Sequence, residues 1–110
     1  MVGINEVAKE IHENAVAHGW WDKEREFPEI IALIHSELSE ALEEYRNGHG
    51  ATETYMGENG KPEGIPTELA DAIIRILDYC AYAGIDIDTA IHEKHEYNKT
   101  RPYKHGGKKC

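Results

Sequence analysis

The chain carries two short acidic segments, Glu37-Leu38-Ser39-Glu40 and Glu68-Leu69-Ala70-Asp71. Each segment places two carboxylates three residues apart, which on a helix brings both side chains to one face. Apolar residues surround both segments, so we expect the carboxylates to lie close to a helical core. Four acidic side chains on two packed helices would repel one another and lose hydration unless a cation lay between them. The segments therefore predict a carboxylate metal site between two helices.

The chemistry of the two acidic stripes favours Mg²⁺, with Mn²⁺ as an alternative. Mg²⁺ prefers octahedral oxygen coordination, which carboxylates, waters and substrate phosphate usually share. No cysteine or histidine lies on the same stripes, which argues against zinc. His35 is close in sequence, but it lies about 160° from Glu37 around a helix, so we expect it to point elsewhere.

The composition narrows the class of protein. The chain has 110 residues, enough for a single domain (1–110). A net charge of −9 and a pI near 5.2 argue against binding to a nucleic-acid polymer, which needs an excess of basic residues. We see no signal pattern and no apolar run of the roughly 20 residues that a membrane helix needs. Two cysteines give no disulfide framework, so we expect a cytoplasmic protein.

Apolar residues at helical spacing predict an all-α fold with a four-helix bundle-type core. The first helix runs from Ile4 to His18, and the second begins near Pro28 and ends at about Arg46. The third covers 65–83 and stops at Gly84, and a fourth follows the N-cap residue Asp86.

The segment 47–65 interrupts the helical pattern between the second and third helices. Several glycines and Asn59-Gly60 predict a small hairpin-like excursion there. A connection of this length is often functional, so a mobile lid and an inert excursion both stay open.

The second and fourth helices each have a predicted inner face, and the third helix has a single charged stripe. On the second helix that face holds Ile30, Ile34, Leu38, Ala41 and Tyr45, and on the fourth it holds Ile87, Ala90 and Ile91. The third helix is apolar nearly all round, so we expect it to be the most buried. On its charged stripe, Arg75 could neutralise Asp71 and Asp78, but that would leave Glu68 without a partner.

Aromatic and basic residues flank the acidic helices. Trp20 and Trp21 either cap the core or form the wall of a base pocket. Lys94 and Asn98 occupy positions where the fourth helix should be apolar, and Arg101 and a basic tail with Lys104 follow. These cations either reach solvent or lie beside the acidic residues.

In this order, Glu37-x-x-Glu40, Glu68-x-x-Asp71 and Lys94-x-x-x-Asn98-x-x-Arg101-Pro102 resemble the motifs of the MazG-like branch of the all-α nucleoside triphosphate pyrophosphohydrolases. The resemblance covers the chain from the second helix to residue 107. It implies a homodimer or a dimer of dimers. It also implies Mg²⁺-dependent cleavage of a nucleoside triphosphate to the monophosphate and pyrophosphate.

The resemblance also implies roles for individual residues. The Mg²⁺ ligands would be Glu37, Glu40, Glu68 and Asp71, and the contacts to phosphate and nucleotide would be Lys94, Asn98 and Arg101. A metal-bound water would attack the α-phosphorus, and an unliganded Glu40 or Glu44 would accept its proton. Lys94 and Arg101 would offset charge on the departing pyrophosphate. The predicted substrate-binding set also includes Trp20, Trp21 and Lys104. Ser36 stands where some relatives carry another acid, so no second acidic role is predicted there.

Three other functions are considered from the sequence. A phosphoribosyl-ATP pyrophosphohydrolase shares the acidic helical core, so the motifs separate it weakly from the first hypothesis. A non-catalytic helical dimerisation module would leave the acids solvated. A di-iron bundle would need Glu-x-x-His motifs, which these helices lack.

Overall fold

A computed structural model describes residues 3–102 of the chain. The prediction of an all-α fold, with a small excursion between the second and third helices, is confirmed. Within these residues, no helix has the length and apolar character needed to cross a membrane. The elements in chain order are α1 (Ile4–Ala17), α2 (Phe27–Arg46), β1 (Tyr55–Met56), a short 3₁₀ turn (Glu58–Gly60), β2 (Pro62–Glu63), α3 (Ile65–Ala83) and α4 (Ile87–Lys99).

Helix α3 is the centre of the fold, because it packs against both α1 and α2. Its start is fixed by Gly64, which has a φ of 122°. A side chain at this position would collide with the backbone of Glu53 as well as strain the backbone, so glycine is required. The helix ends at Gly84, whose φ of 74° is the left-handed C-terminal stop predicted for it.

The apolar core of the described residues is small. The buried hydrophobic residues are Ala8, Ile30, Ala41, Ala72, Leu77 and Cys80. The predicted inner face of α2 is wrong in part, because Leu38 and Tyr45 are 45% and 70% exposed. The helix instead turns Glu37 inward between Ile30 and Ala41, where it forms an ion pair with Arg75 of α3.

Helix α4 is attached to the rest of the fold at its first turn. Asp86 caps the helix by accepting from the Thr89 N–H, as predicted. Asp88 accepts from the first two N–H groups of α1, at Ile4 and Asn5. Every residue from 89 to 100 is exposed, so the predicted inner face at Ala90 and Ile91 is not covered by the described part of this chain.

The buried carboxylate of Asp78 on α3 binds the turn between α1 and α2 through hydrogen bonds. The indole N–H of Trp21 donates to both oxygens of Asp78, at 3.0 and 3.2 Å, and His12 Nδ1 lies 2.7 Å from Asp78 Oδ1. The Trp21 ring also stacks on Tyr82 with 4.1 Å between ring centroids. These contacts fix the turn that carries Trp20.

The excursion is anchored to the end of α2. Its two strands pair antiparallel, with Tyr55 opposite Glu63, and the connecting turn contains Asn59-Gly60 as predicted. The Tyr55 hydroxyl donates to both oxygens of Glu44 at 2.9 Å, and this bond raises the pKa of Tyr55 to about 12.

We expect Asp78→Ala to destabilise the fold, because it leaves the half-buried Trp21 N–H without an acceptor. The free energy of unfolding should fall by about 2–3 kcal/mol in urea denaturation followed by tryptophan fluorescence. Glu43→Ala is the control, since its carboxylate is exposed and pairs loosely with Arg46 at 3.6 Å. Equal midpoints for the two variants would contradict the role given to Asp78.

Candidate metal centre

Three carboxylates from two helices converge at one point. Glu37 and Glu40 come from α2, and Glu68 comes from the first turn of α3. One oxygen from each side chain lies within 4.8 Å of the others. Glu37 and Glu68 are 8% and 6% exposed, whereas Glu40 is open to solvent. The predicted convergence of the two acidic segments is therefore found for three of the four acids.

Of the three carboxylates, Glu68 has the least favourable environment for a negative charge. Its Oε2 atom is buried and has no hydrogen-bond partner among residues 3–102. Its pKa is raised to about 7. Burial is the largest cause, and the neighbouring carboxylates of Glu40, Asp71 and Glu37 contribute in the same direction. An unpartnered oxygen that faces two other carboxylates is the environment that a divalent cation would stabilise. The donors are all hard oxygens, so they fit Mg²⁺ or Mn²⁺.

Asp71 lies one turn farther along α3 than Glu68. It is half-buried and lines the cleft beside Glu37 and Glu40, but it does not belong to the close group of three. Its role as a fourth ligand stays a prediction.

Glu37 and Glu40 line a cleft of about 890 Å³ between α1, α2 and α3, and Glu68 lies behind them without lining it. This volume lies within the range of small-molecule sites, which is roughly 300–1,000 Å³. One wall is formed by the second half of α1, which includes Asn14, and by His18 at the end of that helix. Trp20 also lines the cleft, whereas the indole N–H and one face of Trp21 are engaged by Asp78 and Tyr82.

Three cations lie in the same cleft as the acids. Arg75 donates from Nε to Glu37 Oε1 at 2.9 Å, so it does not take the predicted alternative role of neutralising its neighbours on α3. The guanidinium of Arg25 lies 3.6 Å from the centre of the Trp20 ring and bonds to Glu29. Lys61 comes from the hairpin. The cleft thus combines an acidic cluster with basic side chains and an aromatic ring.

The predicted phosphate-binding residues lie on a different part of the surface. Lys94 and Asn98 are exposed on α4, and Arg101 follows the helix. The cationic groups of Lys94 and Arg101 lie 4.8 and 5.9 Å from the centre of the Tyr97 ring. None of the three lines the acidic cleft of the described chain. Their roles stay predictions, and the predicted contact at Lys104 lies outside the described residues.

The structure separates the two candidates for a proton acceptor. Glu40 lines the cleft, whereas Glu44 holds the Tyr55 hydroxyl at the base of the hairpin. His35 is exposed and lies outside the carboxylate group, as the sequence predicted.

Sequence reasoning missed several residues of the cleft. Asn14 and His18 carry no recognisable motif, and Lys61 reaches the cleft only because the hairpin folds against α3. Arg75 gave a usable signal, because it shares a stripe with Glu68 and Asp71, but its partner across the helix pair was not evident.

Comparisons with known proteins add no relatives. No family model matches the chain, and no curated protein and no solved structure is significantly similar to it. The resemblance to the MazG-like enzymes therefore rests on the three motifs alone.

Metal-free protein should lose stability as the pH rises from about 4.5 to about 7, because folded Glu68 retains a proton that the unfolded chain releases. Glu68→Gln keeps the shape without the charge. At pH 8 in chelator, this variant should be more stable than the parent by roughly 3 kcal/mol, and at pH 4 the two should be similar.

The measurement is urea unfolding at both pH values. Glu43→Gln is the control, since it removes an exposed carboxylate from the same helix pair. If the parent and Glu68→Gln keep a constant stability difference across this range, the charge state assigned to Glu68 is wrong.

Proposed function

We propose that this protein is a metal-dependent nucleoside triphosphate pyrophosphohydrolase, which cleaves a ribo- or deoxynucleoside triphosphate to the monophosphate and pyrophosphate. The proposal combines the order of the three motifs with the chemistry of the cleft. The observation that carries it is the buried, unpartnered Glu68 oxygen facing Glu37 and Glu40. An isolated surface cluster of acids would need no cation, but this one includes two buried carboxylates.

The charge balance of the cluster supports a divalent ion. Among the described residues, Arg75 is the one cation in an ion pair with these acids, and its partner is Glu37. Neither Glu40 nor Glu68 forms an ion pair with a basic side chain of this part of the chain. Mg²⁺ would be held by Glu37, Glu40 and Glu68, with Asp71 as the further ligand implied by the motif. When bound, it would supply a water of lowered pKa and screen the charge of the triphosphate.

The rest of the cleft supports a nucleotide as the substrate. A protein with a net charge of −9 would repel a triphosphate, so local cations are needed. Arg25, Arg75 and Lys61 provide them beside the carboxylates. Trp20 offers an aromatic surface, and every base can stack on such a surface. Glu40 is exposed, whereas Glu37 and Glu68 of the same group are buried, so it is the member of the three best placed to hold a proton from the attacking water.

Hydrolysis should be measured as pyrophosphate release from a panel of nucleoside triphosphates and phosphoribosyl-ATP, with Mg²⁺, with Mn²⁺ and with chelator. We expect metal-dependent release from at least one nucleoside triphosphate. Glu40→Gln should lower that rate by roughly 100-fold or more, because it removes a ligand or a proton acceptor. Glu43→Gln, three residues away and outside the cleft, should keep the parent rate.

Other outcomes of the panel identify the competing functions. Release from phosphoribosyl-ATP alone would indicate the phosphoribosyl-ATP enzyme. No release from any compound, together with no metal-dependent rise in melting temperature, would favour a non-catalytic helical dimerisation module.

We also propose that the protein is a homodimer, or a dimer of dimers built from it. The chain exposes 8352 Å² of surface, whereas a compact monomer of 12.4 kDa is expected to expose about 6100 Å². Part of the exposed surface is apolar. It includes Leu38 and Leu42 of α2 and a groove between α1, α3 and α4 with Ile73 and Ile91 on its walls. Packing against a second copy would cover these side chains and the outer face of α4.

The dimer is tested by sedimentation at micromolar concentration. We expect about twice the monomer mass of 12.4 kDa for the parent or, for a dimer of dimers, about four times. Ile73 is 55% exposed and lines the apolar groove. Ile73→Glu places a charge there, so it should shift the distribution toward monomer. A monomeric parent would contradict the dimer. The cytoplasmic location expected from the cysteines stays a prediction.

A further inference from the structure

Arg75 connects the acidic cluster to the aromatic wall of the cleft. Its Nε donates to Glu37 Oε1 at 2.9 Å, and its guanidinium carbon lies 4.8 Å from the centre of the Trp20 ring. The side chain is 28% exposed and lines the cleft together with Asp71. One side chain thus contacts a candidate metal ligand and the candidate base platform.

Most of the hydrogen-bonding capacity of Arg75 is unused. A guanidinium has five N–H donors, and the bond to Glu37 uses the one on Nε. The two terminal amino groups make no hydrogen bond to any residue from 3 to 102. A planar pair of amino groups matches the oxygens of a phosphate better than a single ammonium does.

The other two cations of the cleft are less suited to this task. Arg25 is engaged on three sides: Nε donates to the Trp20 carbonyl at 2.8 Å, a terminal nitrogen donates to Glu29 at 2.7 Å, and the guanidinium covers the Trp20 ring. Lys61 is exposed on the hairpin, so its ammonium would lose more side-chain freedom on binding. Arg75 is held by Glu37 at Nε, whereas its terminal amino groups remain available within the described chain.

We propose that Arg75 is a phosphate-binding residue that grips the triphosphate while its Nε holds Glu37 in position. The inference rests on the proposed function, and it assigns the phosphate contact within the cleft to a residue of α3. Because Glu37 keeps its second oxygen for a metal, the same side chain would align the metal ligand and the phosphate chain relative to each other. Arg75 is therefore a substrate-binding residue with a positioning role, and it takes no part in proton transfer.

The test separates phosphate binding from metal binding. Free Mn²⁺ is measured by electron paramagnetic resonance to obtain the affinity for the metal alone. Calorimetry with Mn²⁺-saturated inorganic tripolyphosphate gives the affinity for the phosphate chain. The variants are Arg75→Gln and Arg75→Lys, and Arg46→Gln is the control because it removes an arginine from an exposed pair on α2.

We expect Arg75→Gln to weaken tripolyphosphate binding by roughly tenfold more than it weakens Mn²⁺ binding. The lost contact to Glu37 affects both affinities, whereas the lost phosphate contact affects only the first. Arg75→Lys should keep the melting temperature of the parent but recover only part of the tripolyphosphate affinity, because an ammonium cannot form bidentate hydrogen bonds to a phosphate. The KM for an accepted nucleotide should rise in the same order. Arg46→Gln should match the parent in every measurement.

Two results would overturn the inference alone. Unchanged tripolyphosphate affinity in both variants of Arg75, with an active parent, would leave no phosphate contact to assign. An equal loss of Mn²⁺ and tripolyphosphate affinity would mean that Arg75 acts only by holding Glu37. If Arg75→Gln does not fold, the Arg75→Lys comparison decides between the same outcomes. A parent that binds no tripolyphosphate with Mn²⁺ and releases no pyrophosphate would overturn the proposed function and the inference with it.

Discussion

The fold depends on the cost of bringing carboxylates into the contact between α2 and α3. A carboxylate removed from water is costly unless it is paired or hydrogen-bonded. Glu37 meets this requirement through Arg75, but the buried oxygen of Glu68 has no such partner in the described chain. A purely structural helix pair would gain stability from apolar residues at these positions. The proposed cation would supply the partner that Glu68 lacks in the described chain, and the surrounding elements hold the acids in place.

Several other features follow from this constraint. Helix α2 turns Glu37 inward, and as a consequence Leu38 and Tyr45 face outward. The turn after α1 is fixed by Asp78, which leaves Trp20 on the wall of the cleft. The hairpin is fixed by Glu44 and brings Lys61 to its edge. Each of these elements is positioned by a buried or half-buried polar contact, because the apolar core of one chain is too small to do so alone.

Much of the fold could be predicted from the sequence, because its signals are local. Helix ends marked by Gly84 and Asp86, and the turn at Asn59-Gly60, depend on neighbouring residues and were confirmed. The convergence of Glu37, Glu40 and Glu68 followed from spacing and apolar surroundings.

The rest depends on tertiary contacts that the pattern does not encode. Helical periodicity marks an apolar face but cannot tell a core from a surface that another subunit covers, so Leu38 and Ile91 were assigned inward. The partner of Arg75 lies across the helix pair, and its neighbours on α3 were equally reasonable by spacing. The position of Lys94 relative to the acids depends on the direction of α4, for which the sequence gives no signal.

The proposed function requires that Glu37, Glu40 and Glu68 bind a divalent cation. Anomalous diffraction at the manganese edge, from crystals grown with Mn²⁺, tests it most directly. We expect a peak between these side chains, at about 2.1 Å from carboxylate oxygens of α2 and α3. A fully occupied Mn²⁺ at another position, with no peak between these side chains, would contradict a cation site there.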